Sequence, residues 1–282
     1  MSARPAVTRA APPKVNLRLL VGERREDGYH PLRTLMVALD GPADQVTVAR
    51  APERSVACPG IAGPANLAWA ALDALEVEAG EPLPPLAVDI HKVLPAQAGV
   101  GGGSSDAAAT LVAADLLLGL GLGTEHLQRA AARVGSDVPF FIRGGAQWAT
   151  GRGEVLQPAS APAFECVLVA PPAGLSTAGV YAAFDALPPP PPDDNAPVPG
   201  DATGLGAWCR NDLWPAARVL KPSLATLHDA LSAAGASPAL LCGSGSALCG
   251  ITGDPAVADG MAAHMRRAAP GAQVMRARFP GA

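Results

Sequence analysis

The sequence has almost no lysine: of 21 basic residues only Lys14, Lys92 and Lys221 are lysine, and the rest are arginine. Tyrosine occurs only as Tyr29 and Tyr181, asparagine four times, and aromatic residues make up 4% of the chain. A coding bias toward Arg, Ala, Pro and Gly accounts for this scarcity. Under such a bias, a surviving Lys, Tyr or Asn is a candidate for a position that needs its own chemistry. Charge is sparse as well, at 16% charged residues and a net charge of −4. Without a basic stripe, nucleic acid and anionic membrane are poor partners, so attraction for an anionic substrate must be local. The five cysteines are scattered with no CxxC pair. That argues against a zinc site and a secreted disulfide framework and fits small buried residues in a reduced cytoplasm. No apolar run reaches the roughly 20 residues of a membrane span; the stretch Leu111–Leu122 is interrupted by Asp115 and glycines. Residues 1–13 carry Arg4 and Arg9 but no apolar h-region, which argues against a signal peptide.

What is present is enough apolar residue, 49% of 282, to fill one large domain or two modest ones. Alternation predicts strands at Lys14–Val21, Gln45–Arg50, Leu86–Val93, Ala146–Ala149 and Glu165–Pro171. Helical patterns cover Asn66–Glu78, Ser104–Leu118, Thr124–Val134, Pro222–Ala234 and Pro255–Ala269, and Ala239–Gly250 reads as strand, glycine loop, strand. The mixture lacks a repeating βαβ rhythm, which favours α+β. A domain boundary is expected near Gln157-Pro158-Ala159, giving domains 1–157 and 158–282. Residues 187–204 contain five consecutive prolines, then Asp193, Asp194 and Asn195, and predict a polyproline II or disordered loop.

The strongest local feature is Pro95-Ala96-Gln97-Ala98-Gly99-Val100-Gly101-Gly102-Gly103-Ser104-Ser105, directly before an Ala-rich helix. Glycines let backbone amides approach a ligand closely, and a helix start presents free N–H groups and the positive end of the dipole. Together they predict an anion cradle, with Ser104 and Ser105 as hydroxyl donors or metal ligands. No Gly-Lys dipeptide occurs, which excludes a Walker A loop, and no serine has glycine two before and two after, which excludes a nucleophile elbow.

This segment resembles the phosphate-binding motif of the GHMP small-molecule kinases. Ala11-Pro12-Pro13-Lys14-Val15-Asn16-Leu17 is similar to their N-terminal motif, and Leu240-Leu241-Cys242-Gly243-Ser244-Gly245-Ser246-Ala247 to their C-terminal glycine loop. Five further segments resemble one subfamily, which phosphorylates a cytidine diphosphate-linked sugar alcohol: Arg25–His30, Gly135–Phe141, Ala149–Glu154, Leu175–Tyr181 and Asn211–Leu213. The matches run in family order from about residue 11 to 250. Val100 stands where the motif usually has Leu, and the proline segment is idiosyncratic.

The resemblance implies a two-domain α+β fold: an N-terminal nucleotide domain of the ribosomal-protein-S5 type and a ferredoxin-like C-terminal domain, with both substrates in the cleft between. It implies ATP as phosphoryl donor with Mg2+, and Asp137 as the base that takes the proton of the C2 hydroxyl of an erythritol unit. Lys14 would lie beside Asp137 and stabilise developing negative charge. Pro95, Gly99, Gly101, Gly102, Gly103, Ser104 and Ser105 would bind the ATP phosphates, with Asn66 and Lys92 around adenine. Tyr29 and Tyr181 would stack on cytosine, His30 would hydrogen-bond it, and Asn16 would help hold the acceptor. No carboxylate is assigned to the metal; Ser104 or Ser105 is the side chain placed to reach it. The partners are then small molecules, with no nucleic acid or membrane, for a cytoplasmic monomer or weak homodimer. The rival readings are another GHMP kinase, which needs no cytosine stack, and a silent binding member of the fold, which needs neither Lys14 nor Asp137.

Overall fold

The computed structural model describes residues 5–281. They form two compact units. One takes the chain up to Pro13, Ala43–Leu94 and Gly101–Gly144; the other takes Lys14–Pro42, Pro95–Val100 and Gly145 onward. The fold is α+β, and each unit has its own sheets and helices.

The first unit holds a four-stranded sheet in the order Ala6–Ala11, Asp44–Arg50, Leu86–His91, Ser55–Ala57. Alternation along the central strands turns Val46, Val48, Val88 and Ile90 into the core. Helices α1 (Leu67–Ala79), α2 (Gly102–Leu118), α3 (Gly123–Val134) and α4 (Val138–Arg143) complete it. Helix α2 is apolar around most of its circumference, as a helix enclosed by its neighbours must be. Ala107, Ala108, Leu111, Ala113 and Ala114 are all in the core.

The second unit contains a five-stranded sheet, Arg210–Asn211, Lys14–Val21, Leu32–Ala38, Ala146–Gly151, Val155–Ala159. A four-stranded sheet follows, Ala239–Leu241, Leu248–Thr252, Phe164–Ala170, Gln273–Phe279. Helices α5 (Thr177–Asp185), α6 (Leu205–Trp208), α7 (Trp214–Leu220), α8 (Ser223–Ala233) and α9 (Pro255–Ala268) belong to the same unit. Its core joins Val167 and Val169 from the sheet to Leu224, Leu231, Met261 and Met265 from the helices. The position 157/158 falls within the edge strand Val155–Ala159, and packing parts the chain last at 144/145.

The proline segment is not disordered. Residues 188–199 have no regular secondary structure, but side chains hold them against the five-stranded sheet. Arg18, only 3% exposed, ion-pairs with Asp193 and Asp194 while its guanidinium lies 5.0 Å above the Trp208 ring. Arg33 pairs with Asp193 and lies over Trp148, and Arg210 donates to the carbonyls of Pro191 and Pro192. The Trp208 indole N–H donates to the Ala196 carbonyl at 3.0 Å. These anchors supply what the missing ladder hydrogen bonds cannot. Among the described residues no helix is long and apolar enough to cross a membrane.

Candidate active site

In the first unit, α2 begins inside the glycine cluster, at Gly102, two residues before the start expected from helix propensity. Gly101 is its N-cap, with φ 76° and ψ 16°, a left-handed conformation that suits glycine. No side chain caps this end. The leading amides of Gly102, Gly103 and Ser104 therefore face outward from a helix of seventeen residues with the dipole behind them. Gly103 is exposed, and a Cβ added there would have its nearest neighbour at 3.8 Å. Ser104 is half-buried; Ser105 is buried, and its hydroxyl has no hydrogen-bond partner.

Two expected adenine contacts spend their polar atoms within the first unit. Asn66 caps α1 by accepting from the Ala68 amide at 2.9 Å, and its own amide donates to the Ile61 carbonyl at 2.7 Å. Lys92 bridges Asp44 and Asp106, the latter at 2.7 Å. Asp44 also accepts from the amides of Val93 and Leu94, so this cluster fastens the residues that follow the strand Leu86–His91 to α2 through Asp106. Burial pushes Asp106 up to about 7, against the opposing pull of the Lys92 ammonium. Nothing in the sequence marked Asp44 or Asp106 as partners of Lys92, because they lie 48 and 14 residues away.

Asp137 occupies the N-cap position of α4, where Pro139 stands within the first two helical positions. Its carboxylate makes no capping hydrogen bond, so the commonest structural use of an Asp before a helix is not its use here. It is half-buried, followed by the buried Val138, Pro139 and Phe140.

In the second unit, Lys14 opens the strand Lys14–Val21 and is 4% exposed. Its ammonium donates to Asn16 Oδ1 at 2.7 Å, and the Asn16 amide donates to Thr34 Oγ1 at 2.8 Å. The C-terminal glycine loop folds against this pair. A Cβ on Gly243 would stand 3.4 Å from the Lys14 ammonium and 3.1 Å from the Gly99 carbonyl. Gly99, at φ 80°, approaches so closely that its Cβ would fall 1.9 Å from the Cys242 carbonyl oxygen. The Ala247 amide donates to the Ala98 carbonyl at 3.0 Å, and the Asn211 amide donates to the carbonyls of Leu241 and Gly243. Three motifs far apart in sequence, 14–16, 95–100 and 241–247, thus meet in one place. Burial pushes the Cys242 thiol up to about 12, which suits a packing residue.

Also in the second unit, α5 carries Tyr181 toward the segment that bears Tyr29 and His30. The His30 and Tyr181 rings lie 5.5 Å apart and tilted by 30°, with Phe184 edge-on to His30 at 5.6 Å. Tyr29 is 54% exposed, and the Arg152 guanidinium sits 4.8 Å over its ring. His30 is buried with both nitrogens engaged: Nδ1 with the Gly22 carbonyl at 2.8 Å and Nε2 with Asp185 at 2.9 Å. Sequence reading missed Asp185; its signal was the four-residue spacing from Tyr181, which places both on one helix face. Among the described residues no group of three or more His, Cys, Asp or Glu side chains could hold a metal ion.

Two family models match the chain, the GHMP kinases N terminal domain over residues 66–145 and the GHMP kinases C terminal domain over residues 194–271. The 4-diphosphocytidyl-2-C-methyl-D-erythritol kinase of Rhodococcus jostii is 43% identical over 258 residues, covering 86% of this chain and 82% of its own. The kinase of the same name from Moorella thermoacetica is 37% identical over 278 residues, covering 93% of this chain and 96% of its own. A crystal structure of 4-(cytidine 5'-diphospho)-2C-methyl-D-erythritol kinase matches with a TM-score of 0.78 at 33% identity, covering 96% of this chain and 99% of that one.

Proposed function

The chain belongs to the GHMP kinase family, and on that premise we propose that it transfers the γ-phosphoryl group of ATP to the C2 hydroxyl of 4-diphosphocytidyl-2-C-methyl-D-erythritol. The observation that carries this reading is identity of 37–43% to kinases of that name across most of both chains. The reaction is a step of the non-mevalonate isoprenoid precursor pathway, and the protein works as a cytoplasmic monomer or weak homodimer.

Phosphoryl transfer proceeds through a loose transition state, so little covalent chemistry falls to the protein; positioning and charge stabilisation dominate. The left-handed Gly101 and the uncapped amides of 102–104 support a phosphate cradle running from Gly99 to Ser105, with Pro95 setting its approach. Asn66 and Lys92 shape the adenine side. Ser104 and the partnerless hydroxyl of Ser105 are the side chains that would reach a Mg2+ bound with the nucleotide, which would supply neutralisation of the phosphate charge. Asp137, half-buried ahead of Val138, Pro139 and Phe140, takes the proton of the acceptor hydroxyl, late along the reaction coordinate. Lys14, held in one position by Asn16 and too compact to be mimicked by a guanidinium, stabilises negative charge. Tyr29 and Tyr181 stack on the cytosine, and Asn16 helps hold the acceptor.

The deciding experiment measures ATP consumption with diphosphocytidyl-methylerythritol, mevalonate and homoserine in parallel. Turnover confined to the cytidine substrate supports the reading, and turnover of either other acceptor instead refutes it.

A further inference from the structure

The loop 95–101, which leads into α2, is the part of the cradle least able to hold itself. Its residues form turns and bends rather than helix or strand, and Gln97, Gly99 and Gly101 all have positive φ. The shape of such a loop depends on where its two ends are fixed. Within the first unit, both ends lead to Asp44.

Asp44 begins the strand Asp44–Arg50 and is fully buried. Its Oδ1 accepts from the amides of Val93 at 2.5 Å and Leu94 at 2.7 Å, the last residues before the loop. Its Oδ2 accepts from the Lys92 ammonium, which also donates to Asp106 Oδ2 at 2.7 Å. Asp106 lies on α2, whose first residue, Gly102, directly follows the loop. Gly102 itself rests on the cluster: a Cβ there would stand 3.4 Å from the Lys92 ammonium nitrogen and 3.6 Å from Asp44 Oδ2. One carboxylate thus grips the loop's entry directly and its exit through a single ammonium. Lysine suits that link, because one compact nitrogen serves two carboxylates that a broad guanidinium would hold further apart.

A stability role alone does not account for this arrangement. Burying an ion pair carries a desolvation cost that well-packed apolar side chains of similar volume avoid, so such a cluster is a weak stabiliser. What it does supply is fixed geometry, at the place where backbone amides would meet phosphate. We infer that Asp44 is a positioning residue for the ATP phosphates: with Lys92 and Asp106 it clamps both ends of the glycine loop, so that the 102–104 amides are aimed before the nucleotide arrives. The inference rests on the reading that this loop cradles ATP phosphate, and it does not depend on which acceptor is phosphorylated.

The test cuts the clamp at two links. Asp44→Asn keeps an oxygen for the Val93 and Leu94 amides but turns an N–H group toward the Lys92 ammonium. Asp106→Ala leaves Lys92 paired with Asp44 and frees α2. Calorimetry measures the binding of ATP and of adenosine, which has no phosphate, and kinetics varies ATP and 4-diphosphocytidyl-2-C-methyl-D-erythritol in turn. Either variant should raise the dissociation constant and KM for ATP about tenfold or more, the effect of misplaced positioning groups, with adenosine affinity and the acceptor KM unchanged. Both cuts sever one chain of contacts, so the double variant should bind ATP no worse than the weaker-binding single one. Wild-type ATP affinity in both variants, equal losses for ATP and adenosine, or fully additive effects reduce the cluster to a structural role and overturn the inference. If Asp44→Asn does not fold, Asp106→Ala decides by the same comparison of ATP with adenosine. A wild-type protein that binds ATP but phosphorylates no cytidine substrate refutes the proposed reaction instead, and the ATP-to-adenosine ratio still decides the clamp. Wild type that binds adenosine as tightly as ATP overturns the cradle and the inference with it.

Discussion

Gly103→Ala separates what the first turn of α2 does for the fold from what it does for the nucleotide. The residue is helical and exposed, and an added methyl would meet only Leu67 Cδ1, at the ordinary contact distance of 3.8 Å. Replacing a helical glycine by alanine removes backbone entropy from the unfolded chain, which is worth roughly 0.5–1 kcal/mol. Urea unfolding of Gly103→Ala should accordingly show a raised midpoint with unchanged slope. The same methyl stands over the uncapped amides, where a phosphate would need to approach the backbone. Displacing it at a cost of about 1.4 kcal/mol raises the KM for ATP about tenfold. The variant should therefore be more stable and a worse ATP binder. Gly99→Ala makes the contrast: at φ 80° its Cβ would stand 1.9 Å from the Cys242 carbonyl oxygen, so the 242–245 loop must move. Left-handed backbone costs an alanine about 1–2 kcal/mol and overpacking about 1–3 kcal/mol more, so this variant loses stability as well as activity. A raised midpoint in Gly103→Ala with an unaltered KM for ATP would refute the cradle assignment.

Asp137→Asn should keep the fold and nucleotide affinity but lose about 10²–10⁴-fold in kcat, the usual cost of removing a general base; a variant with wild-type kcat removes Asp137 from that role. Tyr181→Ala should raise the KM for the cytidine substrate about tenfold, from loss of a stack worth roughly 1–3 kcal/mol, and leave the KM for ATP alone; the reverse pattern sinks the cytosine assignment. Asp106 gives a pH prediction. Burial raises its carboxyl from the ordinary 3.8 to about 7, so between those values the folded chain holds a proton that the unfolded chain has lost. Its contribution to stability is full below about pH 4 and is lost as pH rises to about 7. In Asp106→Asn, which is fixed in the uncharged form, the melting temperature relative to wild type should climb between about pH 4 and pH 7 and then level off, and parallel curves would show that Asp106 is ionised throughout.

The buried strand Lys14–Val21 was legible to the residue, because its apolar run is bounded by Pro13 and Gly22. Leu32–Ala38 was not, although it is as apolar and Pro31 stands directly before it, because the unbroken run Leu35–Leu39 carries no alternation. Helix α4 went unread because six residues with an early proline give no period to detect. Propensity placed the start of α2 at Ser104, since glycine is a poor helix former; the structure starts it at Gly102. At the site, residue types and motif order were readable, whereas partnerships were not. Lys92 with Asp44, Arg18 with Asp193, and His30 with Asp185 join positions 48, 175 and 155 residues apart, and one sequence carries no signal that pairs them.

The proline segment has a consequence for where ordering entropy is spent. Pro188 to Pro192 have φ fixed by their rings before folding begins, so this stretch loses far less backbone freedom than an equal length of ordinary chain, which costs about 1–2 kcal/mol per residue. Two carboxylates, two proline carbonyls and one indole can therefore hold twelve residues that make no regular ladder. A chain poor in lysine and rich in proline has in this way turned its compositional bias into an economy: the rigid half of the strap arrives nearly pre-ordered, and the arginines need only fasten its end.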